Sequence, residues 1–371
     1  MQKVIVVGAG ILGASTAYHL AKSGVNVTIV DRQDKGQATD AAAGIVCPWL
    51  SQRRNKAWYQ LVKGGARYYP ELVKELESDG QFDTGYRKVG AISLHSDEDK
   101  IEKMVERAKK RREDAPEIGE IKRLTPTETK KLFPAISDEY GSVFVSGGAR
   151  VNGRKLRNAL INGAIKHGAT FIRGNAGLVQ ENNTIVGVTV RNAKYLADQV
   201  IVTAGAWAHD LLKSIHVHFM VTHQKAQILH LELENQQTEN WPVIMPPNDQ
   251  YILSFENGRI IVGATHEDED GFDHRVTAGG LQEILQKALL VAPGLADGTV
   301  VETRVGFRPF TPGFLPVFGP IPGINGMLVA NGLGASGLTA GPYLGAELAK
   351  LALGKALELE IERYDVGQAI E

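Results

Sequence analysis

Three glycines, Gly8, Gly10 and Gly13, punctuate the opening apolar run VVGAGILGAS with the spacing G-x-G-x-x-G. Between a strand and a helix, such a turn grips a pyrophosphate. The first glycine makes the tight turn, the second lets the backbone approach the phosphates, and the third lets helix pack on strand. The helix N-terminus adds unpaired N–H groups and partial positive charge. Asp31 ends the next β-branched run, where a carboxylate can accept from ribose hydroxyls. This constellation points to a dinucleotide and leaves NAD and FAD both open. A second glycine-rich turn, NGLGASGLTAG, precedes the last helix and holds Gly332, Gly334, Gly337 and Gly341, with Gly345 just beyond. A helix N-terminus there can stabilise the negative charge of a reduced flavin near N1 and O2, so the second turn favours FAD.

The remaining reactive side chains form no obvious set. His216, His218, His223 and His230 fall close together, but no nearby Asp, Glu or Cys completes a ligand set, and no metal is expected. Cys47 is the single cysteine. It excludes an intrachain disulfide, fits a reducing compartment, and reads as a small buried residue. The chain has 371 residues and a formal net charge of −1, from 41 basic and 42 acidic side chains. Neither sign dominates, which argues against nucleic-acid or anionic-membrane binding. The densest basic run, KKRRE at Lys109–Glu113, reads as a solvated helix face. No apolar stretch reaches the roughly 18 residues of a membrane span, and the glycine-broken N-terminus is unlike a signal peptide. A cytoplasmic protein is expected.

The elements that must position these residues follow from pattern. KVIVVGAG is a continuous β-branched run, as for a strand buried on both faces. ILGASTAYHLAKSG has helical spacing at Leu12, Ala17 and Leu20 and stops at Gly24, and VNVTIVD supplies the second strand of a βαβ unit. Residues 54–78 read as a helix, as does the charged DEDKIEKMVERAKKRRE, whose acidic start suits the helix dipole. NGRKLRNALINGAIKHGA is predicted as a helix with Leu156, Leu160 and Ile165 facing in. A series of strands occupies the middle, with Asn182-Asn183 and Asn257-Gly258 as hairpin turns. The chain closes on a strand, a glycine turn and a long helix ending at Gly354. The expected class is α/β, α+β overall, with a nucleotide domain built from both ends and an interleaved β-rich domain. The expected boundaries are 1–85, 145–215 and 305–371 for the first, and 86–144 and 216–304 for the second.

These residues resemble the FAD-dependent D-amino-acid oxidase, glycine oxidase and sarcosine oxidase family over nearly the full chain. VIVVGAGILGASTAYHLAKSGVNVTIVD is similar to its FAD fingerprint. ATDAAAGIV, residues 38–46, resembles the segment that passes along the flavin ring. VIVTAGAWA, residues 200–208, resembles the second nucleotide-domain signature. VGFRPFTPGFLPVFG, residues 305–319, resembles the substrate-arginine stretch, and NGLGASGLTAGP the C-terminal flavin turn. The resemblance implies a Rossmann-like FAD-binding domain of glutathione-reductase type and a substrate domain with a large mixed sheet. It implies oxidation of an amine or amino acid by hydride transfer to flavin N5. The imine then hydrolyses, and electrons pass to O2 or another acceptor.

Residue by residue, the resemblance assigns cofactor contacts to Gly8, Gly10, Ile11, Leu12, Gly13, Asp31 and Arg32. It adds Ala42, Ala43, Gly44 and Ile45, then Val179, and then Ala204, Gly205 and Trp207. Gly332, Gly334, Ala335, Ser336, Gly337, Leu338 and Thr339 complete the set. Arg308 would pair with a substrate carboxylate, a role that guanidinium geometry suits. Tyr251 would donate its hydroxyl to the same carboxylate or make a structural hydrogen bond. His266 stands where relatives face the flavin and would bind substrate, influence electron transfer, or lie on an exposed strand end. Relatives that bind flavin covalently do so through a C-terminal cysteine absent here, so FAD is expected to be non-covalent. No general base stands out. Two departures leave the substrate open: Ala335 and Ser336 where some members carry a polar or cationic group, and Gly313 where an acid is often found. The expected partners are a small amine or amino acid and an electron acceptor, and a homo-oligomer is compatible with the sequence. Two further readings are a dehydrogenase serving a quinone or carrier, and a non-catalytic flavoprotein subunit. An NAD-dependent enzyme has only the first motif in its favour.

Overall fold

The computed structural model describes residues 1–268 and 271–371. Its chemistry is carried between two sheets. The first has six strands in the order Val317–Pro320, Met327–Asn331, Gln199–Val202, β1 (Lys3–Val7), β2 (Asn26–Asp31) and Thr170–Arg173. All neighbours are parallel except the edge strand Val317–Pro320. The β-branched run of β1 is buried on both faces, as a parallel strand requires. Val4 and Val6 join one apolar cluster with Val27 and Ile29, while Ile5 and Val7 join another with Val30, Val200 and Val202.

Helix α1 (Ile11–Lys22) covers the first face, packed between the closing helix Gly337–Ala352 and the helix Gly153–Lys166. Its approach to the closing helix is close enough for Ser15 Oγ to donate to the Pro342 carbonyl at 2.6 Å. Leu156 and Leu160 face in, but Ile165 is 45% exposed, contrary to the amphipathic reading. Nine residues beyond Leu156, at about 100° each, place Ile165 half a turn round the helix.

The second sheet has eight strands, ordered Thr299–Phe310, Thr222–Glu232, Arg259–Gly263, Tyr251–Ser254, Val243–Met245, Ala91–His95, Gly141–Val145 and Ile121–Leu124. It is mixed, with one parallel pairing between Val243–Met245 and Ala91–His95. Asn182, and Asn257 with Gly258, have positive φ at the expected hairpin turns. The boundary expected at 305 falls inside the strand Thr299–Phe310, which belongs wholly to the eight-stranded sheet.

The basic run corrects a second expectation. Lys109 and Lys110 are exposed, but Arg111 turns inward. Its Nη1 donates to the Ser51 carbonyl at 2.6 Å, and its guanidinium lies 4.6 Å from the Tyr59 ring centre.

Candidate active site

Sheet register assembles the polar end of the site. Gln224 is opposite Arg308 in the ladder between Thr222–Glu232 and Thr299–Phe310. Four residues on, Ile228 is opposite Gly263, which is opposite Tyr251 on the next strand. Because side chains alternate, Arg308, Gln224, Ile228 and Tyr251 all project from one face. That face closes one end of a cleft of about 460 Å³, where Arg308, Tyr251, Ala226, Ile228 and Gly306 are exposed to its interior. Gly263 leaves room for this arrangement. A Cβ there would lie 2.9 Å from Ile228 Cγ2 and 3.3 Å from the Tyr251 hydroxyl.

Arg308 Nη1 donates to Gln224 Oε1 at 3.1 Å and meets His266 Nδ1 at 3.1 Å. Partial enclosure of the His266 ring, then the Arg308 charge, lowers the pKa of its imidazole. The same Nδ1 lies 3.0 Å from Gln224 Oε1, so Arg308, Gln224 and His266 form one mutual contact. His266 therefore stands behind Arg308 rather than on the cleft wall, unlike the flavin-facing position implied above. Burial pushes the Tyr251 hydroxyl pKa up, and the positive charge of neighbouring Arg308 pulls it partly back. Tyr251 stays protonated at neutral pH and able to donate.

The rest of the cleft is made from the glycine turns. Gly8, Gly10, Ile11, Leu12, Asp31 and Arg32 line it from the N-terminal turn, and Ala42, Ala43, Gly44 and Ile45 from the small-residue segment. Ala204, Gly205 and Trp207 line it from the 200–208 segment, and Gly332, Gly334, Ala335, Gly337, Leu338 and Thr339 from the closing turn. Side chains lock these segments together. Asn331 Nδ2 donates to the Gly205 carbonyl at 2.9 Å, and Thr339 Oγ1 to the Ile45 carbonyl at 2.8 Å.

Three expected contacts are not on the wall. Gly13 lies beneath the turn, where a Cβ would sit 1.9 Å from the Gly8 carbonyl oxygen, so its role is close packing. Ser336 turns away and accepts from Trp58 Nε1 at 2.9 Å. Val179 is paired with Gly187 in the strand Ala176–Glu181, and the wall at that end is Gly174–Gly177. Two contributors escaped the sequence reading. Thr39 Oγ1 accepts from Ile11 N at 2.9 Å, and Asn331 holds the closing turn. Thr39 lies within the quoted ATDAAAGIV segment, but its partner is 28 positions away in sequence.

The donor set fits a flavin dinucleotide. Neither α1 nor the closing helix is capped by the side chain of its own N-cap residue or carries an acid in its first turn, and both open on this one cleft. Two helix N-termini converging on one cleft favour anionic groups there. Asp31 accepts from Ala9 N at 2.6 Å, Gln33 N at 2.5 Å and Gln37 Nε2 at 3.0 Å. An ionised carboxylate has about four acceptor positions, so it retains capacity toward a ribose.

Other residues are accounted for elsewhere. Cys47 is buried, and burial pushes its thiol up to about 12. His218 pairs with Glu371 at 2.9 Å, His223 meets the Gly271 carbonyl at 2.7 Å, and His230 is buried 3.8 Å from Glu302. Among the described residues no cluster of His, Cys, Asp and Glu could hold a metal, and no helix is long and apolar enough to cross a membrane.

Residues 3–351 match the family model described as FAD dependent oxidoreductase, and the chain belongs to that family. It is 64% identical over 371 residues to the "Uncharacterized oxidoreductase YurR" of Bacillus subtilis (strain 168), with 100% of both chains covered. The glycine oxidase of Pseudomonas aeruginosa is 29% identical over 362 residues, covering 95% of each. The crystal structure of iminodiacetate oxidase from Chelativorans sp. BNC1 superposes with a TM-score of 0.95 at 45% identity, covering 98% of each chain. The protein is thus an enzyme, a FAD-dependent oxidoreductase with the mixed α/β fold of that family.

Proposed function

We propose that this enzyme oxidises the C–N bond of a small carboxylate-bearing amine: glycine, a D-amino acid, or a secondary amine such as sarcosine or iminodiacetate. One observation carries the reading. Arg308 and Tyr251 project from one sheet face into the same cleft that the two helix N-termini enter. FAD, when bound, supplies the hydride acceptor for such a substrate. Arg308 pairs with the substrate carboxylate, and Tyr251 donates a hydrogen bond to it. Gln224 and His266 hold the Arg308 fork in place through their contacts at Nη1. The clamp fixes the amine carbon in one orientation, the contribution an orienting site makes to a reaction that needs no strong base. The remaining cofactor contacts fall to the residues of the two turns and the small-residue segment named above.

Secondary amines enter the reading through the 45% identical iminodiacetate oxidase. The cleft wall carries only a methyl group at Ala335, which is compatible with an N-substituent on the substrate. The acceptor is read as O2. The test is anaerobic bleaching of the purified yellow protein with glycine, sarcosine, iminodiacetate, D-alanine and D-proline, beside parallel oxygen-consumption and dye-reduction assays. Bleaching by at least one carboxylate amine is expected. A flavin that none of them bleaches overturns the reading. Dye reduction without oxygen uptake reassigns the acceptor to a carrier.

A further inference from the structure

A second recess, of about 630 Å³, opens beside the loop that leads into the helix Lys56–Ser78, close to the helix Glu98–Arg112. Its wall carries six cations, Arg53, Arg54, Lys56, Arg107, Arg111 and Arg363, against one carboxylate, Asp114. That carboxylate is already engaged by Lys63 at 2.6 Å, and Arg363 by Glu360 at 2.7 Å. Among the described residues, no carboxylate lies within ion-pairing distance of Arg53, Arg54, Lys56, Arg107 or Arg111. The protein's net charge of −1 therefore conceals a local excess of positive charge.

Two further observations point to a missing partner. The Nε–H of Arg107 and the hydroxyl of Tyr59, both on this wall, are shielded from solvent and have no hydrogen-bond partner. Shielded polar groups without partners are costly, and so are like charges held together. Burial already disfavours the charge on Arg53 and on Arg111, and Arg107 adds to it at Arg111. Nevertheless two of the guanidinium groups are held in place. Arg111 is fixed by the Ser51 carbonyl at 2.6 Å, and Arg53 by the Phe314 carbonyl and the Trp58 ring.

We propose that this recess is a binding site for a small multivalent oxyanion of the phosphate type, separate from the substrate cleft. Guanidinium forks match the geometry of such an anion bidentately, and its charge offsets the mutual repulsion of the cations. The site is wired to the cleft at two points. Arg53 donates to the carbonyl of Phe314, downstream of Arg308, and Trp58 donates to Ser336 in the closing turn. Occupancy therefore stiffens the loop that lies against the closing turn.

The test is calorimetric titration of the FAD-loaded enzyme with inorganic pyrophosphate and then with inorganic phosphate, at constant ionic strength. Saturable one-site binding is expected, tighter for pyrophosphate, with the flavin spectrum showing no release of FAD. Arg107→Gln and Arg54→Gln should each weaken it by about tenfold, the loss of one charge-assisted contact. Lys110→Gln, on the same helix but off the recess, should leave it unchanged. Arg54 lies on an exposed loop, so its variant carries the test even if Arg107→Gln does not fold. The proposal is overturned by an absence of saturable heat at millimolar ligand. Equal affinity in all variants, or pyrophosphate binding that displaces FAD, overturns it equally.

Discussion

The two ends of the cleft are built on different principles. At the nucleotide end, main chain dominates: glycine turns, helix N-termini and a few side chains that fix one loop against another. Its main parts are short contiguous motifs. At the Arg308 end, side chains dominate, and Arg308, Gln224 and Tyr251 come from three strands brought into register by a sheet. Recognition by backbone tolerates no added atom, whereas recognition by side chain fails when one group is removed.

The largest effect should come from the side-chain end. Arg308→Ala should raise KM for carboxylate substrates by roughly two to four orders of magnitude, from the loss of about 3–5 kcal/mol in a charge pair. FAD content should stay full. Steady-state kinetics with a flavin-to-protein ratio checks both, and an unchanged KM removes Arg308 from the clamp. Gly13→Ala is the mirror case. Its Cβ would meet the Gly8 carbonyl oxygen at 1.9 Å, so something in the turn must move. Overpacking of this kind costs about 1–3 kcal/mol. FAD content and Tm should both fall, while KM of the residual holoenzyme stays near wild type. Full flavin loading in Gly13→Ala would break the contrast between the ends.

Tyr251→Phe refines the side-chain end. Losing one hydrogen bond to a charged acceptor costs about 1.5 kcal/mol, or roughly tenfold in KM, with kcat little changed. A fall in kcat alone would assign the tyrosine a different role.

The remaining effect is a pH slope at the nucleotide end, read in stability rather than in kinetics. His19 on α1 is hydrogen-bonded to Tyr68 at 2.8 Å, and burial lowers its pKa to about 3. The unfolded chain takes up this proton first as pH falls below its ordinary 6.5. Stability therefore declines on acidification from 6.5 toward 3, by up to about 1.4 kcal/mol per pH unit. Urea midpoints measured across that window should show the slope, and His19→Gln should flatten it. An unaltered slope in the variant would place the linkage elsewhere, with His230, whose pKa burial also lowers to about 3, as the next candidate.

The same contrast governs what could be read in advance. Gly8, Gly10, Asp31 and the closing turn are legible because main-chain recognition needs particular residues at fixed local spacing. The strand β1 and the hairpin turns at Asn182 and Asn257 are legible for a similar reason, since their signals are local. Ile165 departs from the expected face because nine residues at about 100° each bring it half a turn from Leu156. Arg111 leaves the solvated face because its partners, the carbonyls of Trp49 and Ser51, lie 62 and 60 positions away in sequence, beyond the reach of local pattern. Val179 and Ser336 sit in segments that do approach the cleft, but their own side chains point elsewhere, which motif matching cannot show.

By itself the sequence determined that a dinucleotide would be held at the chain's start, that a second helix would meet it from the chain's end, and that the fold would be α/β with a β-rich middle. Periodicity and turn chemistry act over a few residues, and these features need no more. The tertiary structure decided which side chains share a space. It set Arg308 opposite Gln224, and Tyr251 beside Gly263, through strand register. It also gathered six cations from three distant segments around one recess. Those groupings depend on contacts between residues up to hundreds of positions apart, and only the folded chain brings them together.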